Sequence, residues 1–450
     1  MLDIKLIREN PDLVKEHLKR RFEDVKVVDE ILDLDIKWRN ALKEIERLRH
    51  ERNVKSVEIG RIVKKGGNIS SLKDEMKRIN AKIKELEKLV EDYRSRRDYL
   101  LMRLPNLLDE SAPVCEGEEN SPVIRTWGTV KVTEEGMDYL KRFGGGIDYE
   151  IIAQRPRSHV DLLEELDLAD IERAGKVAGA RFYYLKNHLV ILELSLIRFA
   201  LDMLVSRGYV PVSPPLMIRR AAMEGVTDFS AFEEMIYKVE NEDLYLIATA
   251  EHPLVAMHMN EILEEDELPK RYVGISPCFR KEAGAHGKDT KGIFRVHNFY
   301  KVEQVIISNP EESSNYMEEL ISNAEDILRA LELPYRVINI CSGELGAVAA
   351  KKYDIEVWMP AQQRFREVVS CSNCLEYQSR RLKIRIRRKG DKVFAHTLNS
   401  TALATTRIMV AIMENFQEEE GIRIPKALVP YTGFDYIPYS PKKLNINRKV

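Results

Sequence analysis

Cysteine is scarce in this chain, five residues in 450, and that scarcity excludes the disulfide scaffolds of small secreted domains. Long apolar runs are missing as well. The most apolar stretch, Leu189 to Val205, is interrupted by Glu193, Arg198 and Asp202. It reads as a buried helix with a few polar contacts, because a membrane span needs about 20 predominantly apolar residues. The first residues, Met1 to Asn10, alternate charges with short apolar stretches and hold no h-region, so no secretory leader is expected. A soluble, cytoplasmic, reducing setting follows as the expectation, with no membrane partner. No G-x-G-x-x-G and no Walker-type phosphate loop occurs, which leaves an ATP enzyme of the common parallel-sheet kind unsupported. The net charge of only −2 excludes a uniformly basic nucleic-acid coat but leaves room for a local basic face. The hydrophobic share of 44% is ample for a buried core, so intrinsic disorder is excluded too.

Proline is absent between Pro11 and Pro105, and what fills that gap is dense in Glu, Lys, Arg and Leu, the composition of a long helix. Steps of three and four from Ile31 meet Leu34, Trp38, Ala41, Ile45, Leu48, Arg52, Lys55, Ile59 and Ile62. After Gly66-Gly67-Asn68 the pattern resumes with Leu72, Met76, Ile79, Ile83, Leu86, Val90, Tyr93, Arg97, Leu100 and Leu104. Two apolar seams joined by a glycine turn predict an antiparallel coiled-coil hairpin over about 28–104. Each limb has roughly 35 residues, so the hairpin would be about 50 Å long. Ser70 or Ser71 is placed to cap the second helix. Arg52 and Lys55 interrupt the first seam, which predicts looser pairing near the tip. Residues 20–104 carry a charge surplus of +6 and the remainder −8. A basic arm suits phosphate contacts, while a plain dimerisation coiled coil with a solvated charged face has the same periodicity.

Pro, Asn, Asp, Glu, Gly and Ser dominate from Pro105 to Pro122, the texture of a linker or surface loop. The domain boundaries expected are 1–108 for the N-terminal domain and 109–450 for the rest. The later region mixes helices (Asp161 to Ala174, Leu189 to Arg207, Pro310 to Ala330, Thr401 to Glu418) with strands. The strand candidates are Tyr272 to Ile275, Phe299 to Ile307, Tyr335 to Ile340, Asp354 to Met359 and Leu382 to Arg388. Without strict β-α-β alternation the fold class is α+β with an antiparallel sheet flanked by helices.

The segment from Phe279 to Glu303 is the densest in chemistry. Two apolar runs flank a loop holding Gly284, Gly287 and Gly292, with Arg280 and Arg295 at its ends. Guanidinium forks so placed suit a polyphosphate. Arg295, His297, Phe299, Lys301 and Glu303 share one parity, which on a strand means one face. An ordinary charged surface hairpin would show the same pattern.

These residues closely resemble motif 2 of the class II aminoacyl-tRNA synthetases, in the form found in seryl-tRNA synthetases. Gly208-Tyr209-Val210-Pro211-Val212-Ser213-Pro214-Pro215 resembles motif 1, a dimer-interface segment, and Leu398 to Arg407 resembles motif 3. Thr249-Ala250-Glu251 is similar to the family's serine-binding triplet, Phe365 to Cys374 to an active-site strand, and the N-terminal hairpin to the tRNA-binding arm. The resemblance spans the whole chain.

It implies an ATP-dependent serine–tRNA ligase, with L-serine, ATP, Mg²⁺, tRNA(Ser) and, where present, tRNA(Sec) as ligands, acting as a homodimer. By resemblance Arg280 contacts the α-phosphate and the serine carboxylate, Glu282 accepts from the adenine amino group, and Phe299 stacks on the ring. Arg295 and Arg407 hold the outer phosphates. Val296 lies beside the nucleotide, and Lys281, Val368 and Val369 complete the ATP set. Glu367 and Ser370 are implied ligands of Mg²⁺ and phosphate, a donor set that suits that ion. For serine the matched positions are Thr249, Ala250, Glu251, Arg280, Glu303, Asn399 and Thr401. A pocket that hydrogen-bonds the serine hydroxyl would reject alanine by ~10⁴-fold, because its polar groups would be left unpaired.

Other readings of the same residues exist. Cys371-Ser372-Asn373-Cys374 is a C-x-x-C, but no second pair of ligands accompanies it, and a structural zinc site needs four; zinc is not expected. His286 and His297 stand near the site loop, where a general-base role has no nucleophile to serve, and they read as polar loop and strand residues. The basic stretch Arg380 to Arg388 alternates with Leu382, Ile384 and Ile386, as a strand with one buried and one charged face does. A class II synthetase of other specificity, a related ligase acting on a carrier protein, and a non-catalytic RNA-binding coiled-coil protein are the competing functions.

Overall fold

The computed structural model describes residues 1–282, 289, 291–388 and 390–439, and they form two compact units, Met1–Leu107 and Leu108–Val450. Among the described residues no helix is long and apolar enough to cross a membrane.

The first unit is helical: Ile4–Glu9 and Pro11–Arg20 precede the long pair Lys26–Lys64 and Ser70–Arg103. Along the hairpin Ala41, Ile45, Leu48, Ile79, Ile83 and Leu86 form one buried cluster, all on the seams read from the sequence. Between residues 49 and 78 nothing is buried. The seam loosens beyond Leu48, where Arg52 and Lys55 take apolar places, and Lys55 instead pairs with Glu75 across the hairpin. Ser70 and Ser71 do not cap the second helix. They lie inside its first turn, and Asn68 takes the capping part by accepting from the Ser70 amide at 2.9 Å. The root holds a buried ion cluster in which Asp35 accepts from Arg8 (2.7 Å) and Arg97 (2.9 Å). Burial alone would raise the Asp35 carboxyl, but the hydrogen bonds from Arg8 and Arg97 outweigh it and hold the group below its ordinary value.

The second unit is built on an eight-stranded sheet. Its strands are β1 (Val123–Trp127), β2 (Val210–Val212), β3 (Lys270–Phe279), β4 (Asn298–Ser308), β5 (Tyr335–Asn339), β6 (Lys351–Met359), β7 (Arg364–Asn373) and β8 (His396–Ala404). Their spatial order is β1-β5-β6-β7-β8-β4-β3-β2. Every pairing is antiparallel except that of β2 with β3. Helices His188–Ser206, Ser313–Ala330 and Thr405–Asn415 bury their apolar faces with the sheet in one large core. On the other side, Val305 and Ile307 of β4 pack with Leu254 and Leu382, from the short helices Glu251–Ala256 and Tyr377–Leu382. The polar site occupies the rest of that second face.

Several elements depart from the sequence reading. The stretch expected to be one helix from Thr401 to Glu418 is strand through Ala404 and helix from Thr405 to Asn415. Leu398 to Ala404 is drawn into the sheet because β4 lies on one side of it and β7 on the other, so ladder pairing overrides local propensity. Asp161 to Ala174 breaks into His159–Glu165 and Ile171–Ala178 around a left-handed Asp167. The basic stretch from Arg380 begins as helix, and only Arg385–Arg388 is strand. The 105–122 segment is irregular for most of its length. From Leu108 onward it packs on the second unit, with Leu108 and Ala112 buried beside Ile338, Ile340 and Leu345. Cys115 there forms a disulfide with Cys341, a pairing that the low cysteine count did not lead one to expect.

Candidate active site

On β4, Lys301 and Glu303 project away from the helix-covered core into a cavity of about 650 Å³. Strand β8 lies alongside and sets Thr401 opposite Glu303. Asn399, two residues earlier, faces the same way, as strand periodicity requires. Thr249, Glu251, Arg280, Glu367, Ser370 and Lys352 also line this space. Six of the seven positions matched for serine therefore converge. Ala250 does not reach the lining; it is fully buried and packs against Gly274, where an added Cβ would come within 2.7 Å of its own.

Glu367 and Ser370 are three residues apart on one strand, yet both open onto this cavity. The burial alternation of β7 breaks at Val368 and Val369, both buried, where its register with β6 slips between Ile355 and Glu356. The irregularity restores the second residue to the face of the first. Val368 and Val369 thus belong to the core rather than the lining.

A second cavity of about 570 Å³ adjoins the first through Glu367 and is lined by Arg295, Arg364, Arg366 and Arg407. Between the two lies a narrow recess bounded by Arg280, Glu282, Arg295, Val296, Phe299 and Arg407. Lys281 lines none of these spaces; its amide donates to the Met235 carbonyl at 2.8 Å and its ammonium lies 5.7 Å from the Tyr237 ring. Neither Arg280 nor Arg295 sits on a strand, since β3 ends at Phe279 and β4 starts at Asn298. The one-face parity expected from Arg295 onward therefore applies only from Phe299. The Arg280 amide still donates to the His297 carbonyl at 2.9 Å, so pairing runs a little past the strand ends. His297 Nδ1 donates to the Arg280 carbonyl at 2.7 Å, a structural bond. Gly284, His286 and Gly287 lie outside the described residues.

The electrostatics of the two cavities are opposite. In the first, burial and the Glu303 charge push the Glu251 carboxyl up to about 7. Burial raises Glu303 as well, opposed by Lys301, whose ammonium lies 2.5 Å from it, and by Arg280. His252 is held neutral, down to about 3, by burial and by the charges of Lys301 and Arg280. Burial raises both carboxyls against the opposing charges of Lys301 and Arg280, so a further cationic group from a ligand would favour their ionised forms. In the second cavity three of the four arginines already have a carboxylate. Arg295 donates to Glu282 (3.0 Å), Arg366 to Asp289 (3.0 and 2.5 Å), and Arg407 lies 3.4 Å from Glu367. Burial would raise Glu367, but Arg407, Lys352 and Arg280 lower it and keep it ionised.

A divalent cation fits the donors at the junction. The ionised Glu367, which borders both spaces, and the Ser370 hydroxyl, which borders the first, are hard oxygens, and Mg²⁺ takes one or two carboxylates together with phosphate oxygens. The cysteines of the C-x-x-C diverge: Cys371 donates to the Met317 carbonyl at 3.8 Å among the core residues, whereas Cys374 accepts from Asn399 at 3.7 Å beside the cavity. Sequence reasoning passed over Gln378, Lys352, Asp289 and Arg366. Asp289 lies inside the motif 2 segment and Arg366 directly before Glu367, both without an assigned role; Gln378 and Lys352 carry no motif signal.

Comparison with known proteins agrees with this geometry. The family model for the seryl-tRNA synthetase N-terminal domain matches residues 1–108, and that for the tRNA synthetase class II core domain (G, H, P, S and T) matches 236–416. The serine–tRNA ligase of Thermococcus onnurineus is 59% identical over 443 residues, covering 97% of each chain. The crystal structure of seryl-tRNA synthetase from Pyrococcus horikoshii complexed with ATP superposes with a TM-score of 0.91 at 57% identity, over 98% of this chain and 100% of that one. The cytoplasmic serine–tRNA ligase of Naegleria fowleri in complex with AMP gives 0.82 at 37% identity, over 98% and 99%. With paired carboxylates in one cavity, arginines in the next and relatives alike from end to end, this chain belongs to the seryl-tRNA synthetases of class II.

Proposed function

We propose that the protein activates L-serine with ATP, forming seryl-adenylate and pyrophosphate, and then transfers the seryl group to the 3′ end of tRNA(Ser). The observation that carries this reading is the contact of a carboxylate-lined cavity with an arginine-lined one, joined at Glu367. Glu251 and Glu303 receive the serine ammonium and hydroxyl, with Thr249, Asn399 and Thr401 supplying the remaining donors and acceptors. Arg280 borders both the first cavity and the recess. It is placed to orient the serine carboxylate and to stabilise charge at the α-phosphorus as that carboxylate attacks in line, with pyrophosphate leaving. Phe299 and Glu282 hold the purine, Val296 borders it, and Arg295 and Arg407 exchange their carboxylate partners for the outer phosphates. Lys281, Val368 and Val369 support the nucleotide only from behind the lining. Mg²⁺, held by Glu367 and Ser370, neutralises phosphate charge when bound.

The helical arm guides tRNA(Ser), and tRNA(Sec) where the cell has it, as the family's arm does. A cytoplasmic homodimer completes the reading. The homodimer is supported by exposed Val205, Val210, Leu216 and Met217, on or next to the motif 1 segment, and by exposed Val190 and Leu194 on the preceding helix His188–Ser206, apolar residues that a partner copy would cover.

Serine-dependent ATP–pyrophosphate exchange, compared with threonine, alanine and cysteine, tests the reading; absence of exchange with serine refutes it. Deleting residues 35–95 is expected to spare exchange and abolish tRNA charging, and equal loss of both would contradict separate roles.

A further inference from the structure

Gln378 lies between the quoted motif segments, outside each of them, yet it is fully buried beside the serine cavity on the helix Tyr377–Leu382. Its amide is used on all sides. Nε2 donates to Glu251 Oε1 (2.8 Å) and to the Val226 carbonyl (2.8 Å), while Oε1 accepts from the Thr397 hydroxyl (2.5 Å). The Val226 carbonyl fixes the orientation: turned over, the amide oxygen would face it, and a carbonyl has no proton to give. Thr397 is itself fully buried, on β8.

We propose that Gln378, locked by Thr397, is a positioning residue that holds Glu251 as an anion with its other oxygen turned to the serine cavity. The proposal rests on the serine-site reading above. Several groups face or adjoin Glu251: Glu303 and Lys301 from β4, Arg280 from the end of β3, His252 from its own helix, and Cys374 from the end of β7, while Asp228 lines the same space. Burial and Glu303 favour its protonated form, and the Gln378 hydrogen bond acts against them. Without that donor the carboxyl would keep its proton to higher pH. Serine would then meet a neutral group where its ammonium or hydroxyl needs an acceptor.

The test uses the full chain and serine-dependent ATP–pyrophosphate exchange from pH 6 to 8.5, with thermal melting as the check on folding. Losing a hydrogen bond to a charged group is expected to shift the pH midpoint of serine KM upward by about one unit in Gln378→Leu, about fivefold in KM near pH 7 and approaching tenfold at pH 6. The difference should shrink toward pH 8.5, with the KM for ATP unchanged. Thr397→Val should shift the midpoint in the same direction by less, and Thr397→Ser, which keeps the hydroxyl, should restore it. This pair carries the test if Gln378→Leu does not fold. An equal rise in KM at every pH, a parallel rise in the KM for ATP, or a Thr397→Val profile like that of the parent would overturn the proposal. Glu251→Gln separates the two levels. If it leaves serine KM untouched, the serine-site reading falls and this inference with it. If it raises serine KM while the Gln378 and Thr397 variants keep the parental profile, only the inference falls.

Discussion

The two cavities of the second unit share one sheet and one residue, Glu367, but they solve opposite problems. The first cavity gathers carboxylates, Glu251 and Glu303, that burial raises in spite of the nearby Lys301 and Arg280. The other side gathers guanidiniums that are already neutralised by Glu282, Asp289 and Glu367. One cavity holds raised carboxylates and the other is closed by internal partners that, on the proposed reading, a polyphosphate would displace. Specificity for a small amino acid suits the first arrangement, since an unpaired buried group penalises the wrong ligand. Loose, exchangeable holding of a substrate that leaves as pyrophosphate suits the second.

Arg280 borders the first cavity and the recess that leads to the second, so Arg280→Ala should break the comparison most severely. Exchange is expected to fall by ~10²–10³ in kcat, the usual loss on removing a donor aimed at developing charge. Separate changes should then split the two halves. Glu303→Gln should raise the KM for serine by ~10-fold or more with the KM for ATP unchanged, and Arg407→Ala should do the reverse, as expected when each removes a charge-assisted bond to one substrate only.

The pH dependence sharpens the contrast. Glu251 has its folded value pushed up to about 7 from an ordinary 4.5. The folded protein therefore binds more protons than the unfolded chain between those values, and this group's contribution to stability declines as pH rises from 4.5 to 7. Bound serine should offset that decline, so the serine-induced rise in Tm is expected to be larger at pH 8 than at pH 6. Glu367 is lowered instead, so the ATP-induced rise should not change over that range on its account. A smaller effect on catalysis is expected from Cys115→Ser, which removes the tie from the 113–121 segment to the Glu344–Ala349 wall of the serine cavity. It should lower Tm, by about 2–4 kcal/mol of stability, with serine exchange at moderate temperature retained.

Legibility differed between the two units for a physical reason. The seam from Ile31 to Leu48 and from Ile79 to Leu86 was visible because a helical hairpin buries residues at a fixed period along the chain. The strands β3, β4 and β6 were found in part, each longer than its apolar run. The candidate site residues were named through motif resemblance, and most of them line the two cavities and the recess between them. Thr401 shows the limit: its surroundings looked helical, and only pairing with β4 made it a strand residue facing Glu303.

The sequence by itself determined the arm, the α+β class, the family and the identities of the charged groups, because periodicity and motif order are properties of neighbours along the chain. Tertiary structure decided which side each group faces. The slip beside Val368 and Val369 turned Glu367 and Ser370 to one cavity, and the helix Tyr377–Leu382 brought Gln378 to Glu251 across 127 positions of sequence. Strand register and long-range hydrogen bonds depend on partners far away in the chain, and no local pattern records them.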